Sequence, residues 1–189
     1  MRKYWLLGIF VFGTSMLYAD NQDKIVFGIG AGNAEYNKGA FNEDDKLETF
    51  SFGYEYSDFY SVELSYINLG QVTDRFFPPN VVTVTPDILS LESKGITLAP
   101  AFEFDFSDNW SFAARLGLSI LDVEKQWLGG TVTDSFYLND TGGTETEFFY
   151  GFRLQYDLDD SMSLEINWDN YEVESIDVDT VYAKINFYF

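Results

Sequence analysis

Bulky apolar residues recur at every second position of this chain, in segments of about ten residues. A strand with two unlike faces satisfies that period and a helix cannot. The segments run Ile25 to Ala31, Phe50 to Tyr56, Tyr60 to Tyr66, Ile96 to Phe106, Trp110 to Ile120, Phe148 to Leu158, Met162 to Trp168 and Val181 to Phe189. The positions between them are small or polar, such as Gly28, Gly30, Ser51, Gly53, Thr97 and Gly117. In a soluble sandwich the apolar set would mix Val, Leu and Ala inside a dry core. Here aromatics cluster at the segment ends and aliphatics nearer the middle, which is the girdle-and-band pattern of a lipid-facing surface.

The connections alternate short and long. Ser57-Asp58-Phe59, Ser107-Asp108-Asn109 and Asp159-Asp160-Ser161 read as tight turns that keep Tyr56 with Tyr60, Phe106 with Trp110 and Leu158 with Met162 on one face. Asn37 to Lys46, Gly70 to Glu92, Val123 to Thr144 and Tyr171 to Val178 read as longer loops on the outer side. In hydrocarbon every backbone N–H and C=O must be paired within the protein, so strands that cross a membrane must close on themselves. The fold expected is therefore all-β, an eight-stranded antiparallel up-and-down transmembrane β-barrel with both ends on the periplasmic side. Pro100 falls inside the fourth segment, removes one ladder donor, and predicts a bulge or kink.

Residues 1–19 read as a cleavable signal peptide and residues 20–189 as the barrel domain. Arg2 and Lys3 precede an apolar run from Trp5 that is too short to span a bilayer as a helix, and a polar Asp-Asn-Gln-Asp follows Ala19. Loss of that leader lowers Lys+Arg from 11 to 9 against 31 Asp+Glu, a formal charge of −22. No basic patch forms, which argues against nucleic acid as a partner. Cysteine is absent, so neither a disulfide nor a lipidated cysteine contributes. Histidine is absent too, which excludes Ser-His and Asp-His catalytic centres. An eight-stranded lumen leaves little room for a carboxylate-only cleft, and no enzymatic role is expected.

The charges on the lumen-facing parity are Glu55, Glu63, Glu103, Arg115, Glu147, Arg153, Glu165 and Lys184. Arg115, Arg153, Glu165 and Lys184 fall at similar heights on consecutive segments, with Glu103 on the segment before. A network of ion pairs across the interior follows, because an unpaired charge in a narrow lumen costs several kcal/mol. It would act as a plug, or, by exchanging partners, as the gate of a narrow pore. The loop acids Glu43, Asp44, Asp45, Asp134, Asp140, Glu172, Glu174, Asp177 and Asp179 lack the spacing of a dedicated calcium site. No metal site and no cofactor are expected. Tyr36, Trp127, Tyr137 and Tyr171 read as rim aromatics that anchor the interface or meet a surface ligand. Phe76-Phe77-Pro78-Pro79 reads as a stiff apolar loop tip suited to contact.

The last residues, Tyr182 to Phe189, resemble the C-terminal signature of outer-membrane barrels, with a terminal aromatic at Phe189 and apolar residues at alternate positions before it. The resemblance implies recognition by the barrel-assembly machinery through Tyr182, Phe187 and Phe189; Lys184 stands where a small residue is common. With its length and Gly-rich first segment, the chain is similar to the OmpX/Ail group and to the transmembrane domain of the OmpA family. That implies a Gram-negative outer membrane, contact with lipid and lipopolysaccharide, and a monomer. It also implies a structural or surface-interaction role in adhesion or envelope stability, with outer loops available to a host or surface ligand. The peptidoglycan-binding domain of OmpA-type proteins is not expected. A narrow pore or transporter for small solutes is the alternative, and a secreted soluble lipocalin-like binder is the alternative outside the membrane.

Overall fold

The computed structural model describes residues 24–38, 41–76, 87–131 and 134–189. The leader expected over residues 1–19 lies outside them, as do Phe77, Pro78 and Pro79 and the side chains of Phe76, Trp127 and Tyr137. Eight strands follow in order: β1 (Lys24–Lys38), β2 (Phe41–Ser57), β3 (Tyr60–Phe76), β4 (Asp87–Ser107), β5 (Trp110–Thr131), β6 (Asp134–Asp159), β7 (Met162–Val173) and β8 (Ile176–Tyr188). Each pairs antiparallel with its sequence neighbours, and β8 returns to β1, so the sheet is a closed barrel. The closing seam runs from Val26↔Tyr188 to Asn37↔Asp177. Ile25 and Phe189 extend it by exchanging two backbone hydrogen bonds of 3.1 and 2.9 Å.

The bulky apolar set faces outward around the wall. Phe27, Phe50, Leu64, Ile96, Leu118, Ile166 and Val181 are all exposed, while Ser51, Ser65, Thr97, Ser119, Asn167 and Lys184 on the other parity are buried. Near the three short turns the outer surface carries an aromatic belt. Tyr54 meets Tyr56 (4.6 Å), Tyr56 meets Tyr60 (5.7 Å), Tyr60 meets Phe102 (5.5 Å) and Trp110 meets Tyr156 (4.8 Å). Such rings suit the lipid–water boundary, where one end of the side chain is apolar and the other wet.

The three turns share one geometry. In each, the register slips by one residue just before the turn, between Glu55 and Ser57, between Asp105 and Ser107, and between Asp157 and Asp159. Tyr56, Phe106 and Leu158 are thus the extra residues of three equivalent bulges. A two-residue turn closed by Ser57↔Tyr60 would by itself oppose odd to even positions; the extra residue restores Tyr54↔Val62 and its equivalents, so the apolar residues of both strands share the lipid side. The Ser107 hydroxyl accepts from Trp110 N (3.2 Å) and the Asp159 carboxylate from Ser161 N (2.8 Å), which ties the turns shut.

Two expectations need correction. Pro100 causes no bulge: Leu98↔Leu118 and Ala101↔Arg115 belong to one register, and Val62↔Pro100 is in place on the other side. The missing donor is absorbed as a lapse of two residues on the β5 side. The segments read as long outer loops are, for the most part, strand. Pairing continues to Lys38↔Phe41, Phe76↔Asp87 and Thr131↔Asp134, and β7 joins β8 by a two-residue turn at Glu174-Ser175, both with positive φ (52° and 59°). That is the primed turn whose twist matches a hairpin.

These extensions hide a second alternation. Along β5 the outward series Leu116, Leu118, Ile120 gives way to Asp122 and Glu124, while the inward series changes from Ser119 to Leu121 and Val123. The same exchange occurs in β2 at Leu47-Glu48, in β3 at Ile67-Asn68, and in β8 at Val178-Asp179. Registered pairs make the switch together: Ile96↔Ile120 is followed by Lys94↔Asp122, and Trp168↔Val181 by Asn170↔Asp179. Below this level the wall is apolar outside, as lipid requires. Above it the wall is apolar inside, as water requires.

Ile166 sits on the lipid face of β7 between Leu154 and Ala183 and is 59% exposed. Ile166→Arg is expected to destabilise the barrel by about 2–4 kcal/mol, and Thr144→Arg, opposite Asp122 above the switch, by no more than about 1 kcal/mol. Urea titration in lipid vesicles reads both; equal costs would contradict the face assignment.

Candidate functional site

The inward side chains at membrane level form one alternating chain of charges that crosses the lumen. Glu103 on β4 takes Arg153 of β6 (2.6 Å) and the Ser61 hydroxyl (2.8 Å). Arg153 reaches Glu165 of β7 (3.2 Å), and Glu165 holds Lys184 of β8 (3.0 Å). Lys184 also donates to Glu63 of β3, which takes Arg115 of β5 (3.1 Å), and Arg115 contacts Asp169 of β7 (3.5 Å). The order is acid, base, acid, base, acid, base, acid. The Glu63 to Lys184 link joins β3 to β8, which β1 and β2 separate along the wall, so the chain spans the barrel interior.

Neutral groups complete it. Tyr182 and Tyr171 donate to Asp169 Oδ2 (2.7 and 3.3 Å), and Arg115 donates to the Tyr182 hydroxyl (2.9 Å) and to Asn167 (3.0 Å). Asn167 Nδ2 donates to Glu165 (3.1 Å), the Ser65 hydroxyl to Glu63 (2.9 Å), and Asn186 to Glu165. All seven charged residues are buried. Charges in so dry a setting are tolerable only when paired and hydrogen-bonded on several sides, which this arrangement supplies.

The local sequence makes room for it. A side chain at Gly28 would collide with Ser51, Lys184 and Asn186, and one at Gly151 with the Asp169 carboxylate. The Gly-rich first strand is thus the thin part of the wall over which Lys184 lies. Above the charges, the Arg115 guanidinium stands over the Phe149 ring (5.9 Å), and Phe149 stacks on Tyr171 (4.8 Å, 22°). From there a dry layer including Tyr36, Leu47, Leu69, Leu91, Leu121, Val123 and Val173 fills the outer half of the lumen.

Of the eight charges assigned to the lumen from sequence, six join the chain: Glu63, Glu103, Arg115, Arg153, Glu165 and Lys184. Glu55 is half-buried at the periplasmic mouth, below them. Glu147 is exposed, which corrects its placement: the β6–β7 ladder ends at Tyr150↔Asn170, below it. Asp169 is the acid left out of that set, although it shares the parity of Glu165 and Asn167. Tyr36 and Tyr171 are not rim anchors. Both are fully buried inside, with the Tyr36 hydroxyl donating to the Leu69 carbonyl (3.3 Å), because their strands lie above the switch, where inward positions are apolar. Tyr182 faces the lumen, whereas Phe187 and Phe189 face lipid, so the three terminal aromatics do not share a face.

Residues 20–182 match the family described as the OmpA-like transmembrane domain. In structure the chain is similar to Ail, the attachment invasion locus protein of Yersinia pestis, with a TM-score of 0.59 and 14% identity over 89% of this chain and 99% of that one. It is also similar to Neisserial surface protein A (0.56, 14%, 88% and 97%) and to the N-terminal β-barrel domain of OprF from Pseudomonas aeruginosa (0.52, 15%, 89% and 98%). At these identities the structural likeness speaks for the fold alone. No curated protein matches by sequence.

Arg115→Met removes the partner of both Glu63 and Asp169 and is expected to cost about 3–5 kcal/mol. The triple change Arg115→Met, Glu63→Gln, Asp169→Asn should recover part of that loss. Denaturant titrations of the two variants check the coupling, and equal stability of single and triple variants would refute it.

Proposed function

Since the chain belongs to the OmpA-like transmembrane domain family and is an outer-membrane β-barrel, we propose that it works as a closed, non-catalytic scaffold whose outer rim meets other surfaces. The observation that carries this reading is the continuous run of seven alternating charges across the lumen, capped by the dry layer around Phe149 and Tyr171. A path for solute would require several coupled ion pairs to part together and the apolar layer to open. Each such break exposes an uncompensated charge at a cost of several kcal/mol. The carboxylates of the chain are all engaged by cations, which also speaks against acid–base chemistry there. The lipid-facing terminal aromatics Phe187 and Phe189 are the part of the C-terminal signature that the assembly machinery would read.

The chemistry of the rim narrows the class of partner. The structure of Ail was solved in complex with the heparin analogue sucrose octasulfate, a polyanion. This chain presents Glu35, Asp44, Glu124, Glu172 and Asp177 on the exposed outer wall above the lipid band, with few cations among the described residues. A field of that sign repels sulfated polyanions and favours cationic ligands.

Planar-bilayer recording of the refolded protein is expected to show no steady conductance, and Arg115→Ala with Lys184→Ala to introduce brief openings. A stable open state of the unaltered protein would overturn the closed-scaffold reading. On immobilised heparin at about 0.15 M salt, where exposed charges act over roughly 8 Å, the protein is expected in the flow-through. Retention there would reverse the conclusion about partner charge.

A further inference from the structure

The run of charges across the lumen does not balance. Four acids, Glu63, Glu103, Glu165 and Asp169, share it with three bases, Arg115, Arg153 and Lys184, and all seven are buried. Were every one ionised, a dry interior would hold one uncompensated negative charge, which surroundings of low dielectric penalise heavily. Three of the acids are well served. Glu63 lies between Lys184 and Arg115, and Glu165 between Arg153 and Lys184. Glu103 has Arg153 at 2.6 Å and lines the opening to the periplasm. Asp169 has neither advantage. It ends the run on the far side, is fully buried, and its one cation, Arg115, is 3.5 Å away and closer to Glu63 (3.1 Å). Beside it Tyr171 stacks on Phe149 at the start of the apolar layer.

The two oxygens of Asp169 have unlike surroundings. Oδ2 accepts from the Tyr182 hydroxyl (2.7 Å), the Tyr171 hydroxyl (3.3 Å) and Arg115 (3.5 Å). Oδ1 is buried with no donor among the described residues, packed where a side chain at Gly151 would stand. An ionised carboxylate shares its charge between both oxygens and draws donors to both. A carboxylic acid has one carbonyl oxygen that accepts and one hydroxyl that needs no donor, and an apolar site keeps it neutral. The groups acting on Asp169 come from four strands: Arg115 of β5, Glu63 of β3, Lys184 and Tyr182 of β8, and Tyr171 of β7 itself. β6 adds only the uncharged Gly151. We propose that the closed lumen holds one resident proton, on Asp169 Oδ1, so that three carboxylates face three cations. The proton is taken up as the barrel closes and a solvated aspartate passes into the dry layer. It depends on the closed lumen proposed above, and it makes the neutrality of the plug a matter of pH.

Infrared spectroscopy of the full barrel, refolded in phosphatidylcholine vesicles, detects a neutral carboxyl through its C=O stretch. Glu55, half-buried at the mouth, is first changed to Gln so that it cannot contribute. In that Glu55→Gln protein one such band is expected at neutral pH. It should vanish on adding Asp169→Asn and remain on adding Glu103→Gln. The folded state keeps a proton that an unfolded aspartate releases above about pH 4. Stability therefore falls as pH rises, up to tenfold in the folding equilibrium per pH unit, until Asp169 itself ionises. Asp169→Asn should remove that one-proton slope from urea titrations. No band in the Glu55→Gln protein, a band that survives Asp169→Asn, or an unchanged slope would each overturn the proposal. Should Asp169→Asn fail to refold, judged by heat-modifiable migration, Tyr182→Phe decides: loss of one donor to Oδ2 should shift the band, and a band that stays in place refutes the assignment. Planar-bilayer recording of the same preparation separates the proton from the closed lumen. A silent bilayer without the band overturns the proton alone, and a stable open state overturns both.

Discussion

The structure depends on closure of the backbone hydrogen-bond ladder. A peptide group in hydrocarbon has no solvent partner, so an open edge at β1 or β8 would leave a row of donors and acceptors unpaired at a cost of several kcal/mol each. The seam from Val26↔Tyr188 to Asn37↔Asp177 removes that edge. Once closed, eight strands leave an interior only wide enough for side chains, and what fills it is then the remaining question.

Two different materials fill it, one above the other. At membrane level the outer face is already apolar, and the interior is built from charges joined end to end with small residues beneath them. Nearer the outside, the interior is aromatic and aliphatic. The Arg115 guanidinium over Phe149, itself stacked on Tyr171, couples the two layers. Because the charge chain joins strands distant along the wall, such as β3 and β8, it also constrains the barrel's cross-section, which neighbouring-strand hydrogen bonds alone leave free to flatten. A shift of register in any one strand would carry its charge away from its partner and leave both unpaired, so the run of charges contributes specificity as well as pairing.

Much of this is legible in the residues. The alternation is strict wherever lipid touches the wall, and it identifies all eight strands and their faces, from Ile25 to Phe189. The six inward charges that pair are likewise visible from parity alone. What escapes is tied to the change of solvent. Tyr36, Tyr171 and the hairpin ends above them alternate as well, but in opposite phase, and with Gly, Thr and acids interspersed they read as loops. Glu147 fails for the related reason that parity gives a direction and not an enclosure; the β6–β7 ladder has already ended there. Asp169 shows the limit of counting charges strand by strand: its partners Arg115, Tyr171 and Tyr182 come from three strands, and only the closed cylinder makes them neighbours.

The exchange of polarity between inner and outer faces also fixes how deep the barrel floats. If the cylinder rose by one residue pair, Ile120 and Val181 would enter water; if it sank by one, Asp122 and Asp179 would enter hydrocarbon. Rising is opposed at the other end as well, where it would draw the turn acids Asp58, Asp108 and Asp160 toward the hydrocarbon, so excursions are stiff in both directions. The bilayer must therefore adjust its thickness to the protein at this collar, and lipids whose tails reach the collar without stretching should gather around it.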